Sequence, residues 1–293
     1  MEHCSFFKFL LILLSCRVIL LLKTPRKGVE STIQMNVISF ANQKGGVGKT
    51  TSAINCAASL GALGKRTLLI DLDPQGSSTS GLGIKKSSLK LSSYDVLIGN
   101  CKNIQDAIIT TPFKNLSVLP SNMSLSGAEF ELSNQDNREY FLKKQLDKLS
   151  QINLFDYVVI DCPPSLGSLT INALCASRYL IIPTQCEYYA LEGLTQLMMS
   201  VKNIKKLYNP GLIIGGILIT MYNSRFKLSS QVMAELDKYY GELIFKTKIH
   251  RSISLSEAPS FGEPINYYSR YSKGSLQYTE VAKEIISRIE GLF

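Results

Sequence analysis

The sequence predicts an α/β protein in which a doubly wound, mostly parallel sheet is flanked by helices, all within a single domain. Short apolar runs rich in β-branched residues alternate with longer stretches of helical pattern, and polar residues follow several of the apolar runs directly. Strands that are apolar throughout are buried on both faces, as in a parallel sheet covered by helices. The predicted strands are 37–41, 67–70, 116–119, 157–160, 179–182 and 212–220.

Helical patterns fill the intervals between these strands, as a parallel sheet requires. The first predicted helix ends at Gly64, a residue type that commonly terminates helices. In such a fold, ligands bind beyond the carboxyl ends of the strands, so the residues there are the candidates for function. The predicted helices are 52–63, 125–149, 168–176, 191–208, 228–240 and 275–292.

The first strand is followed by a glycine-rich turn, residues 44–51, which read KGGVGKTT. This is an unusual form of the phosphate-binding loop that defines P-loop NTPases, with an additional lysine, Lys44, before the first glycine. Glycines let backbone N–H groups close on phosphates, and the start of a helix favours the anion. Lys49 is predicted to reach the β- and γ-phosphates, and the Thr50 hydroxyl to bind Mg²⁺. The predicted nucleotide contacts in this loop are Gly45, Gly46, Val47, Gly48, Lys49, Thr50 and Thr51.

Carboxylates follow two further predicted strands. Asp71 and Asp73 end the second strand and, being two residues apart, are expected to point the same way, towards the phosphates. One can organise the Mg²⁺ shell while the other positions a water. Asp161 ends an apolar strand, as in a Walker B motif, and is predicted to hold Mg²⁺ through water.

Composition narrows the class of protein. The 293 residues are 45% hydrophobic and 19% charged, which is typical of a folded globule. The net charge of +9, of which +6 lies in residues 35–293, favours attraction to polyanions, nucleic acid first. Seven cysteines without a CxxC pair indicate reduced, mostly buried thiols in a cytosolic protein, with neither a disulfide framework nor a metal site.

Residues 1–34 form a distinct apolar extension. Lys8 and Arg17 interrupt its apolar part, residues 6–22, so that no uncharged run approaches the roughly 20 residues of a spanning helix. A basic start before an apolar stretch also fits a signal peptide, but no A-x-A-like cleavage site follows. We interpret the extension as a mis-assigned start or a disordered segment, and residues 35–293 as the ATPase domain.

Several segments together resemble the ParA/MinD family of ATPases, and within it the chromosome-type ParA (Soj) proteins. The loop at 44–51 resembles the deviant Walker A motif of that family. Further matches are DLDPQG at 71–76, DCPPSLG at 161–167, PTQCEYYALEG at 183–193, TMYNSR at 220–225 and SEAPSFG at 256–262.

The resemblance implies roles for individual residues. Lys44 would cross a face-to-face dimer and touch the nucleotide of the partner, and Asp73 would be the hydrolytic residue, with Asp71 near the metal. Asn223 would face the nucleobase, where relatives more usually have aspartate. Segment 183–193 would lie beside the dimer interface.

The resemblance also implies a function. The chain would be a slow ATPase with ATP and Mg²⁺ as cofactors, and it would form a homodimer when ATP is bound. That dimer would bind DNA without sequence preference, and a ParB-like partner would stimulate hydrolysis, so that a chromosome or plasmid is partitioned. The protein would be cytoplasmic and associated with the nucleoid. Arg225 and Arg251 are the candidate DNA contacts, although the 251–254 segment has one arginine where relatives often have two.

The main alternative is a MinD-like, membrane-recruited positioning ATPase. It requires a C-terminal amphipathic helix with a basic polar face. The last predicted helix instead mixes Lys283 and Arg288 with three glutamates, which indicates a helix packed on the core and argues against membrane binding. A tyrosine autokinase ranks low because Tyr267, Tyr268 and Tyr271 precede a packed helix, and an iron–sulfur carrier would need paired cysteines.

Overall fold

The computed structural model describes residues 35–291, and these residues form a seven-stranded sheet between helices. The predicted extension, residues 1–34, lies outside the described residues. The strands are β1 (Asn36–Phe40), β2 (Thr67–Asp71), β3 (Ile109–Thr110), β4 (Leu116–Leu119), β5 (Tyr157–Asp161), β6 (Tyr179–Gln185) and β7 (Ile213–Thr220). All pairs are parallel except β3 with β4, and the order across the sheet is β3-β4-β2-β5-β1-β6-β7. The predicted fold class is confirmed.

Helices connect the strands and cover the sheet. Short 3-10 turns at 86–88, 104–107, 138–140, 241–243 and 258–261 complete the connections. The helices are α1 (Lys49–Ala62), α2 (Ser77–Gly81), α3 (Ser93–Ile98), α4 (Leu125–Leu132), α5 (Phe141–Gln151), α6 (Ser168–Ala176), α7 (Ala190–Leu207), α8 (Lys227–Tyr240), α9 (Ile253–Glu257), α10 (Ile265–Tyr268) and α11 (Lys273–Glu290).

The register of the central strands sets the position of the functional residues. Asp71 at the end of β2 is the register partner of Asp161 at the end of β5, and Phe40 at the end of β1 pairs with the same Asp161. The carboxyl ends of these three strands therefore lie side by side. The phosphate loop and the two acidic strand ends meet there although they are far apart in sequence.

The core consists of apolar side chains on both faces of the sheet. β2 and β5 are buried at every position. Helix α11 packs against α1 and buries Tyr278, Val281 and Ile285. This burial is in line with the core-packing role that the sequence predicts for the last helix.

One sequence prediction about secondary structure is wrong, and one short strand was not predicted. The single helix predicted over 125–149 is broken, because the chain leaves α4 at Leu132 and passes through Asn137 in the left-handed conformation (φ 55°) before α5. The Ser133 hydroxyl donates to the carbonyl of Phe130 and so helps to end α4. The edge strand β3 was not predicted, since two residues are too few to show a period.

A close backbone contact joins the loop after α2 to the 3-10 turn at 258–261. Gly83 and Gly262 both have positive φ, 77° and 70°. A Cβ atom added to Gly262 would lie 2.5 Å from the Cα of Gly83, a distance that real Cβ atoms do not adopt. Only glycine therefore fits at position 262.

Candidate functional site: a phosphate cradle at three strand ends

The phosphate loop connects β1 to α1, and side chains at the ends of two other strands hold two of its carbonyl groups. Gln185 at the end of β6 donates from Nε2 to the carbonyl of Gly46 (3.1 Å), and the Thr220 hydroxyl at the end of β7 donates to the carbonyl of Val47 (2.8 Å). Gly48 is in the left-handed conformation (φ 80°) directly before the helix. The carbonyl bonds fix the path of the loop, and the N–H groups at the start of α1, which have no partner within the helix, are available to an anion.

The two lysines of the loop have different surroundings. Lys49 is 7% exposed, and its Nζ donates to the carbonyl of Lys44 (3.1 Å). Burial lowers the pKa of Lys49, while the negative charge of Asp161 is the largest opposing influence. The Lys44 side chain is 45% exposed and forms an ion pair with Glu187, which lies between β6 and α7. One lysine thus faces the buried acids, and the other lies at the surface.

Asp161 has an unsatisfied oxygen. The side chain is fully buried; its Oδ2 accepts from the Ser78 hydroxyl (2.7 Å), and its Oδ1 has no hydrogen-bond partner. Burial and the adjacent Asp71 raise the pKa of Asp161, and the hydrogen bond from Ser78 opposes the rise. A divalent cation beside Thr50 would satisfy Oδ1 and neutralise this pair of acids, so the residues present fit Mg²⁺.

Asp71 already has partners on both oxygens. Its Oδ2 accepts from the backbone N–H and the hydroxyl of Thr79 (both 2.7 Å), and its Oδ1 accepts from the N–H of Asp73 (3.2 Å). Burial raises the pKa of Asp71, and the two bonds from Thr79 counteract this. Asp71 therefore holds the turn that follows β2, and its role near the metal stays a prediction. Within residues 35–291, no group of three or more His, Cys, Asp or Glu forms a metal cluster.

Asp73 lies on that turn and is half-buried. Its Oδ1 accepts from the N–H of Gln75 (2.9 Å), and its charge acts on both Lys49 and Asp161. The structure therefore brings together Lys49, Thr50, Asp71, Asp73 and Asp161, as the sequence predicts.

A cavity of about 570 Å³ adjoins the phosphate loop. It is bounded by Gly48 and Thr51, by Met221 after β7, and by residues 249–253. This volume suits a small ligand such as a nucleoside. Asn223 does not line the cavity, and its Oδ1 accepts from the N–H of Arg225 (3.0 Å). Its predicted contact with the base stays a prediction.

The two predicted DNA contacts are both exposed, but they differ in position. Arg225 follows β7 and precedes α8, whereas Arg251 lines the cavity beside the phosphate loop. Any test of Arg251 must therefore separate an effect on DNA from an effect on nucleotide.

Sequence reasoning missed the polar residues that hold the acids and the loop. Ser78 and Thr79 bind Asp161 and Asp71, Gln185 and Thr220 hold the phosphate loop, and Ser121 binds the turn that carries Asp73. These residues follow strand ends or come directly after the acidic turn, and residues at such positions lie at the same edge of the sheet. Their sequence positions could therefore have indicated them.

The alternatives can be compared with the described residues. No helix within residues 35–291 is long and apolar enough to span a membrane. The cysteines described, Cys56, Cys101, Cys162, Cys175 and Cys186, are all free and buried, in line with the prediction of reduced thiols.

Comparisons with known proteins agree with the geometry. A family model described as an AAA domain matches residues 35–214. The chain is 49% identical over 249 residues to the sporulation initiation inhibitor protein Soj of Bacillus subtilis, covering 85% of this chain and 97% of that protein. It is 48% identical to the chromosome-partitioning ATPase Soj of Treponema pallidum, covering 85% and 96%. A crystal structure of cobyrinic acid a,c-diamide synthase from Mycobacterium smegmatis with bound ADP and magnesium superposes with a TM-score of 0.77 at 36% identity, covering 88% of this chain and 97% of that one.

The fold, the phosphate loop and the buried acids define a P-loop ATPase. The predicted cofactors, ATP and Mg²⁺, are confirmed. The chain belongs to the ParA/Soj family of chromosome-partitioning ATPases, as its sequence motifs indicate.

Proposed function

We propose that this protein is an ATP-dependent switch that dimerises around two nucleotides, binds DNA without sequence preference and hydrolyses ATP when a ParB-like partner binds. The proposal starts from the partitioning role of the family. The observation that carries the proposal is the contrast between the two lysines of the loop. Lys49 is buried beside the acids, whereas Lys44 is at the surface in an exposed ion pair with Glu187, from which it can turn to a second subunit. A cation supplied in trans can stabilise charge on a transferring phosphoryl group.

The surroundings of Lys44 support a protein interface. Tyr188 and Tyr189 follow its partner Glu187 and are 74% and 67% exposed. Their rings meet edge to face at 5.0 Å. Exposed aromatic side chains are enriched at protein interfaces, where they contribute large contact areas. A second subunit that covers this surface would bury both rings.

The described residues divide the chemistry among themselves. The loop N–H groups and Lys49 would bind and orient the phosphates, and Thr50 and Asp161 would hold Mg²⁺, which neutralises charge on the phosphate oxygens. Asp73 would position the attacking water. The protein would be cytoplasmic and would associate with the nucleoid while ATP is bound.

Two alanine variants test the division between the lysines. Lys49→Ala should abolish binding of a fluorescent ATP analogue, because it removes the cation inside the cradle. Lys44→Ala should bind one nucleotide per subunit with nearly unchanged affinity but remain monomeric in sedimentation velocity with Mg²⁺ and the analogue. Equal loss of nucleotide affinity in both variants would show that Lys44 serves its own loop.

DNA binding is tested with random-sequence duplexes at several salt concentrations. Arg225→Glu and Arg251→Glu should weaken binding to every sequence about equally and flatten the salt dependence, since fewer counterions are released. Nucleotide affinity is measured in parallel because Arg251 lines the cavity. If both variants keep the wild-type DNA affinity and salt slope, while the wild-type protein binds anionic liposomes with ATP, the membrane-recruited alternative replaces this proposal.

A further inference from the structure

The turn that carries Asp73 is held by a serine from a different strand. Ser121 donates its hydroxyl to the carbonyl of Asp73 (2.8 Å), which also accepts from the N–H of Gly76 (2.8 Å). At the other side of the same residue, the N–H of Asp73 donates to Asp71 (3.2 Å). Both main-chain polar groups of Asp73 are therefore fixed, one by its own strand and one by Ser121.

Ser121 is itself anchored. It is fully buried and lies two positions after β4, whose residue Leu119 is the register partner of Ile70 in β2. Its N–H donates to the hydroxyl oxygen of Thr79 (2.8 Å), and that hydroxyl donates its proton to Asp71 (2.7 Å). Every donor and acceptor in this chain of bonds has a defined direction, which makes the arrangement of the turn unique.

The turn also lies directly on the main chain of Ser121. Gly76 has a φ of 61°, and a Cβ atom added there would lie 2.9 Å from the carbonyl oxygen of Ser121. From the outside, Lys86 donates to the carbonyl of Gln75 (2.7 Å). The turn is thus held between a buried serine and a surface lysine.

We propose that Ser121 is a positioning residue for ATP hydrolysis, which acts by fixing the main chain of Asp73 so that its carboxylate meets the attacking water in one orientation. The Asp73 Oδ1 is engaged by Gln75, which leaves Oδ2 for the water. The Ser121 hydroxyl donates to Asp73 and not to the phosphate loop or to Asp161, so its removal should act on the hydrolytic step. The inference rests on the proposed role of Asp73.

The test is a double-mutant cycle between Ser121→Ala and Asp73→Ala in the full chain, with steady-state hydrolysis of radiolabelled ATP over a series of ATP concentrations as the readout. Ser121→Ala should lower kcat by about three- to tenfold, the equivalent of one net hydrogen bond, and leave KM for ATP unchanged. In the Asp73→Ala background it should cause no further loss, since the group that it positions is gone. The matched control is Ser133→Ala, which removes a hydroxyl that donates to the Phe130 carbonyl in an exposed turn and should leave kcat unchanged.

The outcomes separate the two ideas. If Asp73→Ala hydrolyses ATP at the wild-type rate, the proposed role of Asp73 fails and this inference fails with it. If Asp73→Ala is impaired but Ser121→Ala keeps the wild-type kcat, lowers it equally in both backgrounds or raises KM instead, the inference alone is overturned. Should Ser121→Ala melt too early to assay, Lys86→Met releases the same turn from the surface. Lys86→Met must then lower kcat at unchanged KM when Asp73 is present and have no further effect in the Asp73→Ala background. Any other result overturns the inference.

Discussion

The ion pair between Lys44 and Glu187 makes a quantitative prediction about dimerisation. If Lys44 reaches the nucleotide of a partner subunit, it must first leave Glu187. The two side chains are 45% and 52% exposed, so the pair contributes about 0.2–1 kcal/mol. A symmetric dimer breaks two such pairs, at a cost of about 0.4–2 kcal/mol. Glu187→Gln removes this cost and should strengthen the ATP-bound dimer about 2- to 30-fold.

The assay is sedimentation velocity over a series of protein concentrations, with Mg²⁺ and a non-hydrolysable ATP analogue. The difference between wild type and Glu187→Gln should shrink at high salt, because exposed charges are screened. Asp147→Asn is the control, since it breaks a comparable ion pair with Lys143 (44% and 61% exposed) on α5 and should leave the dimerisation constant unchanged. A Glu187→Gln variant that dimerises as weakly as wild type, or more weakly, would refute the reasoning and place Glu187 among the contacts that the dimer needs.

Three further substitutions test the packing and charge of the core. Gly61→Ala should lower the free energy of unfolding by about 1–3 kcal/mol in urea titration, although alanine is the better helix former, because its Cβ would lie 2.4 Å from the carbonyl oxygen of Lys114. Arg288→Met should lower the free energy of unfolding by about 2–4 kcal/mol, since the guanidinium donates to three backbone carbonyls. An unchanged denaturation midpoint would exclude this role. Asp161→Asn should abolish hydrolysis. It should also raise the free energy of unfolding of the metal-free protein by about 1–2 kcal/mol at pH 8, because it removes a buried charge beside Asp71. A melting temperature below that of the wild type would contradict this.

The sequence was most informative where function depends on local spacing. The phosphate loop, the alternation of strands and helices, and the acids at two strand ends follow from patterns within a few residues, and the structure brings them together as predicted. The bonds from Thr79 and Ser121 could not be predicted in the same way, because they depend on the register of β4 beside β2. The turn between α4 and α5 was missed because the helical pattern continues through residues that leave the helix.

The contact between Gly83 and Gly262 constrains how this chain can vary. In most packed cores, a larger side chain at one position can be accommodated by a smaller one at its neighbour. Here the neighbour of Gly262 is already glycine, so no smaller residue at position 83 can make room for a side chain at position 262. Position 262, in the segment that follows Arg251, can therefore vary only if the loop that follows Ser78 and Thr79 moves away. In a library that randomises both positions, the well-folded clones should retain glycine at position 262.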